Sequence, residues 1–208
     1  LMENDVVIKL STGSDDVSKQ MTELVEELEE MSSKIKVEKA ELERTPSFSI
    51  NRPGEDTGIV FAGLPLGQEF TSLVLALLQV SGRAPKVDEK LIERIQKLEG
   101  EYHFETYVSL SCHNCPVVVQ ALNIMAVLNP RITHTMIDGG AYKDEVETKN
   151  IMNVPTIFLN GKEWGGGRME LEEILNKLGA TADPSEFENK EPYDVLIVGG
   201  GPAGGSAA

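Results

Sequence analysis

The two cysteines of the 208-residue chain stand three positions apart, in the segment Cys112-His113-Asn114-Cys115. The segment follows a strand-like run and opens an apolar helix-like run, which places the first thiol at a helix N-terminus. There the helix dipole stabilises a thiolate at Cys112, and Cys115 is near enough to close a disulfide with it. The spacing therefore predicts reversible dithiol–disulfide exchange, with these two cysteines as the catalytic pair.

Two other readings of the cysteines are less favoured. A structural disulfide is uncommon in the cytoplasm, and the chain shows no N-terminal basic and apolar regions typical of a secretory signal. A zinc site would need two further ligands, and His103, His113 and His134 have no mutual spacing that suggests one. We expect a cytoplasmic chain without a metal site.

The charge and the apolar runs of the chain limit the classes of partner that we expect. The chain has 19 Lys and Arg against 34 Asp and Glu, a net charge of −15, which repels phosphate backbones and anionic headgroups. No apolar run approaches the roughly 18 residues of a membrane span. We expect neither nucleic acid nor membrane as a partner. The first residue is Leu1, and the last residues stop inside a motif, so we expect a fragment.

The apolar pattern predicts two similar series of elements, because strand-like and helix-like periods alternate along the chain. The first series has strands at 6–10, 35–42, 46–50 and 58–62, and helices at 17–31, after Gly67 and at 88–98. In the helix after Gly67 the predicted core stripe is Phe70, Leu73, Val74, Leu77 and Leu78. The second series has strands at 104–110, 132–137 and 155–159, a helix from the dithiol to 128, a polar amphipathic stretch at 142–150 and a helix at 169–178.

An internal repeat links the two series. Residues 154–159 have a counterpart at 45–50, and the two prolines, Pro46 and Pro155, lie 109 residues apart. The first strands lie about 98 residues apart, and the difference of about 11 residues is one ordinary helix. We therefore predict an α/β chain of two tandem thioredoxin-like units, 1–99 and 100–179, the first lacking a helix before its proline. Its apolar helix after Gly67 predicts one continuous sheet or a broad interface with the second unit.

The repeat assigns further expectations to particular residues. In a thioredoxin-like fold Pro155 would be cis and would face the sulfurs; an ordinary trans proline at a strand edge is the alternative. The first unit has Ser11-Thr12-Gly13-Ser14 where the second has its dithiol. We interpret this unit as a redox-inactive platform, although a helix-capping turn explains the same residues.

The last part of the chain differs in character. Residues 180–193 are acidic and aperiodic, which is typical of a linker. An apolar strand then leads into Gly199, Gly201 and Gly204, whose spacing is a dinucleotide-binding fingerprint. We interpret 194–208 as the truncated start of a Rossmann-type dinucleotide-binding domain, which should bind no cofactor in this chain; the family resemblance described next implies that the dinucleotide is FAD.

The chain resembles the family of F subunits of bacterial alkyl hydroperoxide reductases. The motifs that carry the resemblance are residues 111–116 around the dithiol, 193–204 around the glycine turn, 67–78, and Asp138-Gly139-Gly140. The resemblance implies that NADH reduces an FAD in a C-terminal flavoprotein core. That core would pass electrons to the dithiol described above, which would reduce a separate peroxiredoxin. It also implies a homodimer for the full-length protein.

The resemblance further implies that Glu69 is an acidic residue near the dithiol. The simpler alternative is a favourable charge in the first turn of a helix. The preferred function is electron transfer to a peroxiredoxin disulfide. A general disulfide reductase or isomerase and a redox-sensing interaction module stay open, and the fused flavin domain favours a dedicated reductase.

Overall fold

The computed structural model describes residues 1–179, so the predicted linker at 180–193 and the glycine turn at Gly199, Gly201 and Gly204 lie outside the described residues. In chain order the elements are β1 (Val6–Ser11), α1 (Asp16–Met31), β2 (Ile35–Lys39), β3 (Ser47–Arg52), β4 (Glu55–Ala62), a 3₁₀ helix (Gly67–Glu69), α2 (Phe70–Val80), α3 (Glu89–Gln96), β5 (Tyr102–Val108), α4 (Cys115–Leu128), β6 (Ile132–Asp138), α5 (Lys143–Thr148), β7 (Thr156–Leu159), β8 (Lys162–Gly166) and α6 (Leu171–Lys177).

One mixed sheet of eight strands runs through the described residues, in the order β2-β1-β3-β4-β6-β5-β7-β8. The two halves of the chain meet where β4 pairs in parallel with β6, from Ile59 opposite His134 to Ala62 opposite Ile137. The expectation of one continuous sheet is therefore confirmed. We call residues 1–99 the first half and residues 100–179 the second half, and a domain boundary between them stays a prediction.

The second half has the order β5-α4-β6-α5-β7-β8-α6 of a thioredoxin-like fold. The first half has β1, α1, β2, β3, β4 and α2, and its chain runs from Lys39 to Ser47 without a helix. The peptide bonds before Pro46 and Pro155 are both cis. The predicted thioredoxin-like α/β fold is thus confirmed, including the helix missing from the first half.

Helix α1 begins at a well-formed cap. The Asp15 carboxylate accepts a hydrogen bond from the Ser18 N–H at 2.9 Å, which satisfies one of the free amides of the first turn. Met21 and Val25 of its apolar stripe are fully buried, whereas Met31, at the end of the helix, is exposed. Within residues 1–179 no helix combines the length and apolar composition needed to cross a membrane.

The predicted core stripe of α2 is partly wrong. Leu73 and Leu77 are buried as expected, but Phe70 is 47% exposed and Val74 is 36% exposed. The buried face of the helix is turned toward Ala76 and Val80, because α2 packs on α4 and on β3. Helix α2 has no charged residue and buries two of its polar residues, Ser72 and Gln79, so the periodicity alone misplaced Phe70 and Val74.

Gly58 lies in β4 next to the pairing of β4 with β6, which we call the seam between the halves. Its φ of +76° is in the left-handed region, and a Cβ placed there would lie 2.5 Å from Cγ2 of Thr133 on β6. Gly54, in the turn between β3 and β4, has nearly the same φ of +75°, but nothing lies within 4 Å of its Cβ position. A side chain at either glycine would strain the left-handed backbone, but only a side chain at Gly58 would also clash with β6. Comparison of the two positions therefore separates the backbone cost from the steric cost.

We expect Gly54→Ala to lower the free energy of unfolding by about 1 kcal/mol, the cost of a left-handed alanine. Gly58→Ala should lose roughly 1–3 kcal/mol more, because its methyl group must push β4 away from β6. Urea unfolding of both variants and of the parent chain measures the difference. Equal losses in the two variants would mean that the β4–β6 seam tolerates separation.

Candidate active site

The two cysteines form a disulfide at the start of α4, with their Cα atoms 5.5 Å apart. Cys115 is the first residue of the helix and is fully buried, whereas Cys112, in the preceding loop, is half-buried. The Cys115 N–H donates a hydrogen bond to Cys112 Sγ at 3.1 Å. The Asn114 side chain caps no amide of this helix, so the first N–H groups are available to a sulfur. This environment favours a thiolate at Cys112 over one at Cys115.

The cis-proline loop lies beside the exposed sulfur. The carbonyl oxygen of Val154 is 4.0 Å from Cys112 Sγ, and Pro155 itself is buried. Val154 itself is exposed beside this sulfur. The structure therefore places the loop of Pro155 beside the dithiol.

Glu69 reaches this region from the first half. The 3₁₀ helix that contains it contacts α4, and the Gln68 N–H donates to the carbonyl oxygen of Leu110 at 2.9 Å, two residues before Cys112. The Glu69 side chain is fully buried, and within residues 1–179 neither carboxyl oxygen has a hydrogen-bond partner. Burial raises the pKa of Glu69 to about 7; the nearby Ser72 hydroxyl opposes this shift, but it is outside hydrogen-bond geometry.

Gly67 allows this close approach. Its φ is +56°, and a Cβ at this position would lie 2.6 Å from the carbonyl oxygen of Leu110. Any side chain would push the 3₁₀ helix away from the loop that carries Cys112. The sequence analysis placed Gly67 before a helix but did not identify this role, because Leu110 is distant in sequence.

A buried network of hydrogen-bonded side chains connects α4 to the sheet. His134 Nε2 lies 2.8 Å from Thr106 Oγ1, and His134 Nδ1 lies 2.7 Å from Asn123 Oδ1. Complete burial lowers the pKa of His134 to about 3, so the imidazole stays neutral. The network ties β5, β6 and α4 together. Within residues 1–179 no group of three or more His, Cys, Asp or Glu side chains is arranged to hold a metal ion.

Arg44 joins the two halves on the face of the sheet that α5 covers, opposite the face covered by α4. Its Nε donates to both carboxyl oxygens of Glu145 on α5, at 3.1 and 3.0 Å, and its Nη2 forms an ion pair with Glu105 on β5. Arg44 comes two residues before the cis-proline Pro46, so these bonds fix the proline loop of the first half to the second half. Sequence reasoning missed this cluster because its members are 61 and 101 residues apart.

The first half has no sulfur at the equivalent position. The Ser11 and Thr45 hydroxyls are hydrogen-bonded at 2.8 Å, and the Gly13 N–H donates to Ser18 Oγ at 2.9 Å. These groups satisfy one another and the cap of α1. The arrangement supports a structural role for the predicted platform.

A thioredoxin-like fold, a cis-proline and a disulfide at a helix N-terminus together define the chain as a thioredoxin-fold disulfide oxidoreductase. The family model of the thioredoxin domain matches residues 103–179. A solved N-terminal domain of alkyl hydroperoxide reductase AhpF from Enterococcus faecalis V583 is 28% identical, with a TM-score of 0.79. The match covers 85% of this chain and 92% of that structure.

Curated relatives match over the whole chain. A protein named NADH dehydrogenase from Bacillus subtilis strain 168 is 72% identical, and the F subunit of alkyl hydroperoxide reductase from Staphylococcus aureus strain NCTC 8325 / PS 47 is 62% identical. Over its whole length the chain is thus similar to the N-terminal part of AhpF-type subunits of alkyl hydroperoxide reductases. It spans 41% of the length of each of these two relatives.

The raised pKa of Glu69 predicts a pH-dependent stability. The folded state holds the proton more tightly than the unfolded state, so the stabilisation is complete below about pH 4.5 and is lost as pH rises through about 7. We expect the free energy of unfolding of the parent chain to fall relative to Glu69→Gln across this range, by at most about 3 kcal/mol.

Unfolding of the disulfide form of both proteins between pH 4.5 and 8 measures this effect, because disulfide-bonded cysteines do not titrate. The neutral His134 is common to both proteins, so its own acid-side loss of stability cancels in the difference. A difference between parent and variant that does not change with pH would show that Glu69 titrates as an ordinary carboxyl.

Proposed function

We propose that this chain is the dithiol electron-transfer part of an alkyl hydroperoxide reductase, and that it reduces the disulfide of a peroxiredoxin partner. The observation that carries the proposal is the asymmetry of the cysteine pair. Cys112 is accessible and accepts the Cys115 N–H, whereas Cys115 is fully buried behind it. The similarity to these relatives and their names support the choice of reaction.

The exchange proceeds in two steps that balance. The Cys112 thiolate attacks one sulfur of the partner's disulfide, which forms a mixed disulfide and releases the first partner sulfur as a thiolate that takes up a proton. The Cys115 thiolate then attacks Cys112 Sγ, which closes the Cys112–Cys115 disulfide and releases the second partner sulfur as a thiolate that also takes up a proton. Two electrons and two protons pass from this dithiol to the partner.

Pro155 and Glu69 have separate roles in this proposal. The cis bond before Pro155 holds the exposed Val154 backbone beside Cys112, where it pairs with the extended segment around the partner's disulfide. Glu69 is the buried acid that accepts the Cys115 proton in the second step. A carboxyl with a pKa of about 7 accepts and returns a proton near neutral pH, which an ordinary carboxyl does poorly.

We infer the electron source from the same relatives. They extend well beyond the length matched here, which supports a C-terminal flavoprotein core. We propose that the full-length protein is cytoplasmic and homodimeric. FAD bound by that core would supply two electrons taken from NADH. The glycine spacing at Gly199, Gly201 and Gly204 has the chemistry for a pyrophosphate contact, since glycines permit close approach of the backbone.

The order of the two cysteines gives a direct test. We expect Cys115→Ser to trap a mixed disulfide with an oxidised peroxiredoxin, because the resolving thiol is gone and Cys112 still attacks. Cys112→Ser is the matched control and should trap nothing, because Cys115 is buried out of reach. Non-reducing electrophoresis and mass spectrometry of the adduct report both results.

Trapping through Cys115, or no adduct with either variant, would contradict the proposed roles. Insulin serves as a second substrate for the reduced parent chain. A rate on insulin equal to the rate on peroxiredoxin would identify a general disulfide reductase instead.

A further inference from the structure

Two buried polar groups near the dithiol each lack a hydrogen bond that the other could supply. Glu69 precedes α2 at its N-cap position, yet its side chain caps no amide of that helix, and within residues 1–179 neither of its carboxyl oxygens has a hydrogen-bond partner. Ser72, in the first turn of α2, is also fully buried, and among the described residues its hydroxyl accepts one hydrogen bond and donates none. A buried polar group without its hydrogen bond costs free energy, so this unmade bond requires a physical reason.

Gln120 on α4 sets the direction of the Ser72 hydroxyl. Its side-chain Nε2 donates to Ser72 Oγ at 3.2 Å, so the hydroxyl hydrogen must point away from Gln120. Glu69 lies three residues before Ser72 and is the acidic acceptor within reach, since this hydroxyl opposes the raised pKa of the Glu69 carboxyl. Gln120 comes five residues after Cys115 on the same helix, which connects the hydroxyl to the element that carries the dithiol.

The charge of Glu69 decides whether the bond to Ser72 forms. The structure shows the closed disulfide, the state in which the proposed reaction leaves Glu69 protonated and neutral. Before the second exchange step Cys115 keeps its proton and Glu69 is ionised. A buried carboxylate without a donor is costly, and a hydrogen bond to a charged oxygen is roughly twice as strong as a neutral one. The bond is therefore expected in the ionised state and is not needed in the neutral state.

We propose that Ser72, with its hydroxyl directed by Gln120, is a positioning residue that donates a hydrogen bond to the ionised carboxylate of Glu69. The bond makes the ionised acid available to take the proton of Cys115 in the second exchange step. When that proton arrives, the neutral carboxyl releases the Ser72 hydroxyl, which gives the arrangement seen in the disulfide form. The inference rests on the proposed function and gives the redox-inactive first half a second group that acts on the dithiol, through Glu69.

The elements packed against Glu69 bring few other titratable groups. The 3₁₀ helix makes its main contacts with α2 and α4, and neither helix contains Asp, Glu, Lys, Arg or His. The loop before α4 carries His113, which is exposed, and the remaining titratable groups there are the two cysteines. The cysteines do not titrate in the disulfide form. Comparison with Glu69→Gln therefore isolates the titration of this one carboxyl.

The first measurement is the pH dependence of unfolding, which needs no peroxiredoxin. The free energy of unfolding of the disulfide form is compared with that of its Glu69→Gln counterpart between about pH 4.5 and 9. With the parent sequence the difference should change through about pH 7. We expect Ser72→Ala to move this change about one pH unit higher, because the ionised carboxylate loses its donor. Gln120→Met should move it in the same direction by less, because the hydroxyl remains but is no longer directed.

The second measurement follows the two exchange steps separately. The reduced 208-residue chain is mixed with dithiobis(nitrobenzoate), whose first coloured thiolate leaves when Cys112 attacks and whose second leaves when Cys115 resolves the mixed disulfide. At pH 7 we expect Ser72→Ala to slow the second release about fivefold, because a smaller fraction of Glu69 is ionised, and to leave the first release unchanged. The gap to the parent chain should close as the pH rises, because Glu69 is then ionised in both.

Thr71→Ala is the matched control. It removes the hydroxyl of the residue next to Ser72, but Thr71 is exposed and does not face Gln120. It should change neither the pH dependence of unfolding nor the rate of either release.

Three results would overturn the proposal. Titration of Glu69 at the same pH in Ser72→Ala as in the parent chain would show that the hydroxyl does not bind the carboxylate. A second release slowed equally at every pH would indicate a packing defect between α2 and α4. A shift with Ser72→Ala and none with Gln120→Met would contradict the role of Gln120.

Failure of the proposed function gives a different pattern. A parent chain that leaves oxidised peroxiredoxin unreduced, while Ser72→Ala still shifts the titration and slows the second release, would contradict the peroxiredoxin reaction and support the role of Ser72. A shifted titration with an unchanged second release would show that Glu69 does not take the Cys115 proton, and would overturn the part of Ser72 in the exchange.

Discussion

The parallel pairing of β4 with β6 is the constraint on which the rest of the structure depends. It joins strands of two repeated halves into one sheet, so the loops after β4 and β5 emerge close together at one end of it. That juxtaposition brings the 3₁₀ helix with Glu69 against the loop of Cys112. Two glycines permit it, since Gly58 lets β4 approach Thr133 and Gly67 lets the 3₁₀ helix approach Leu110.

The two halves contribute different groups to the site. The second half supplies the sulfurs, the helix N-terminus and the cis-proline, which are the parts that perform disulfide exchange. The first half supplies a buried carboxyl, and has a satisfied capping turn where a second dithiol would stand. In the account proposed above, loss of redox chemistry in the first half leaves it free to shape the environment of the other half's cysteines.

Much of this arrangement could be predicted from the sequence because it depends on local signals. The Cys112–Cys115 spacing, the repeated proline segments and the alternation of strand and helix periods indicated the fold and the dithiol. What could not be predicted depends on contacts between distant residues. The outward turn of Phe70 and Val74 follows from packing of α2 on α4, and the Arg44–Glu145 ion pair spans 101 residues. Helix α2 has no charged residue that would mark its exposed side, and its polar Ser72 and Gln79 are buried.

The central claim is that the two halves form one cooperative structure through the shared sheet. Native-state hydrogen exchange of the 208-residue disulfide form, followed by mass spectrometry at increasing urea, tests it most directly. The account predicts that amides of β1 and β3 and amides of β5 and β7 converge on the same free energy of opening, equal to that of global unfolding. Exchange of β1 and β3 through a lower-energy opening, with β5 and β7 still protected, would contradict it.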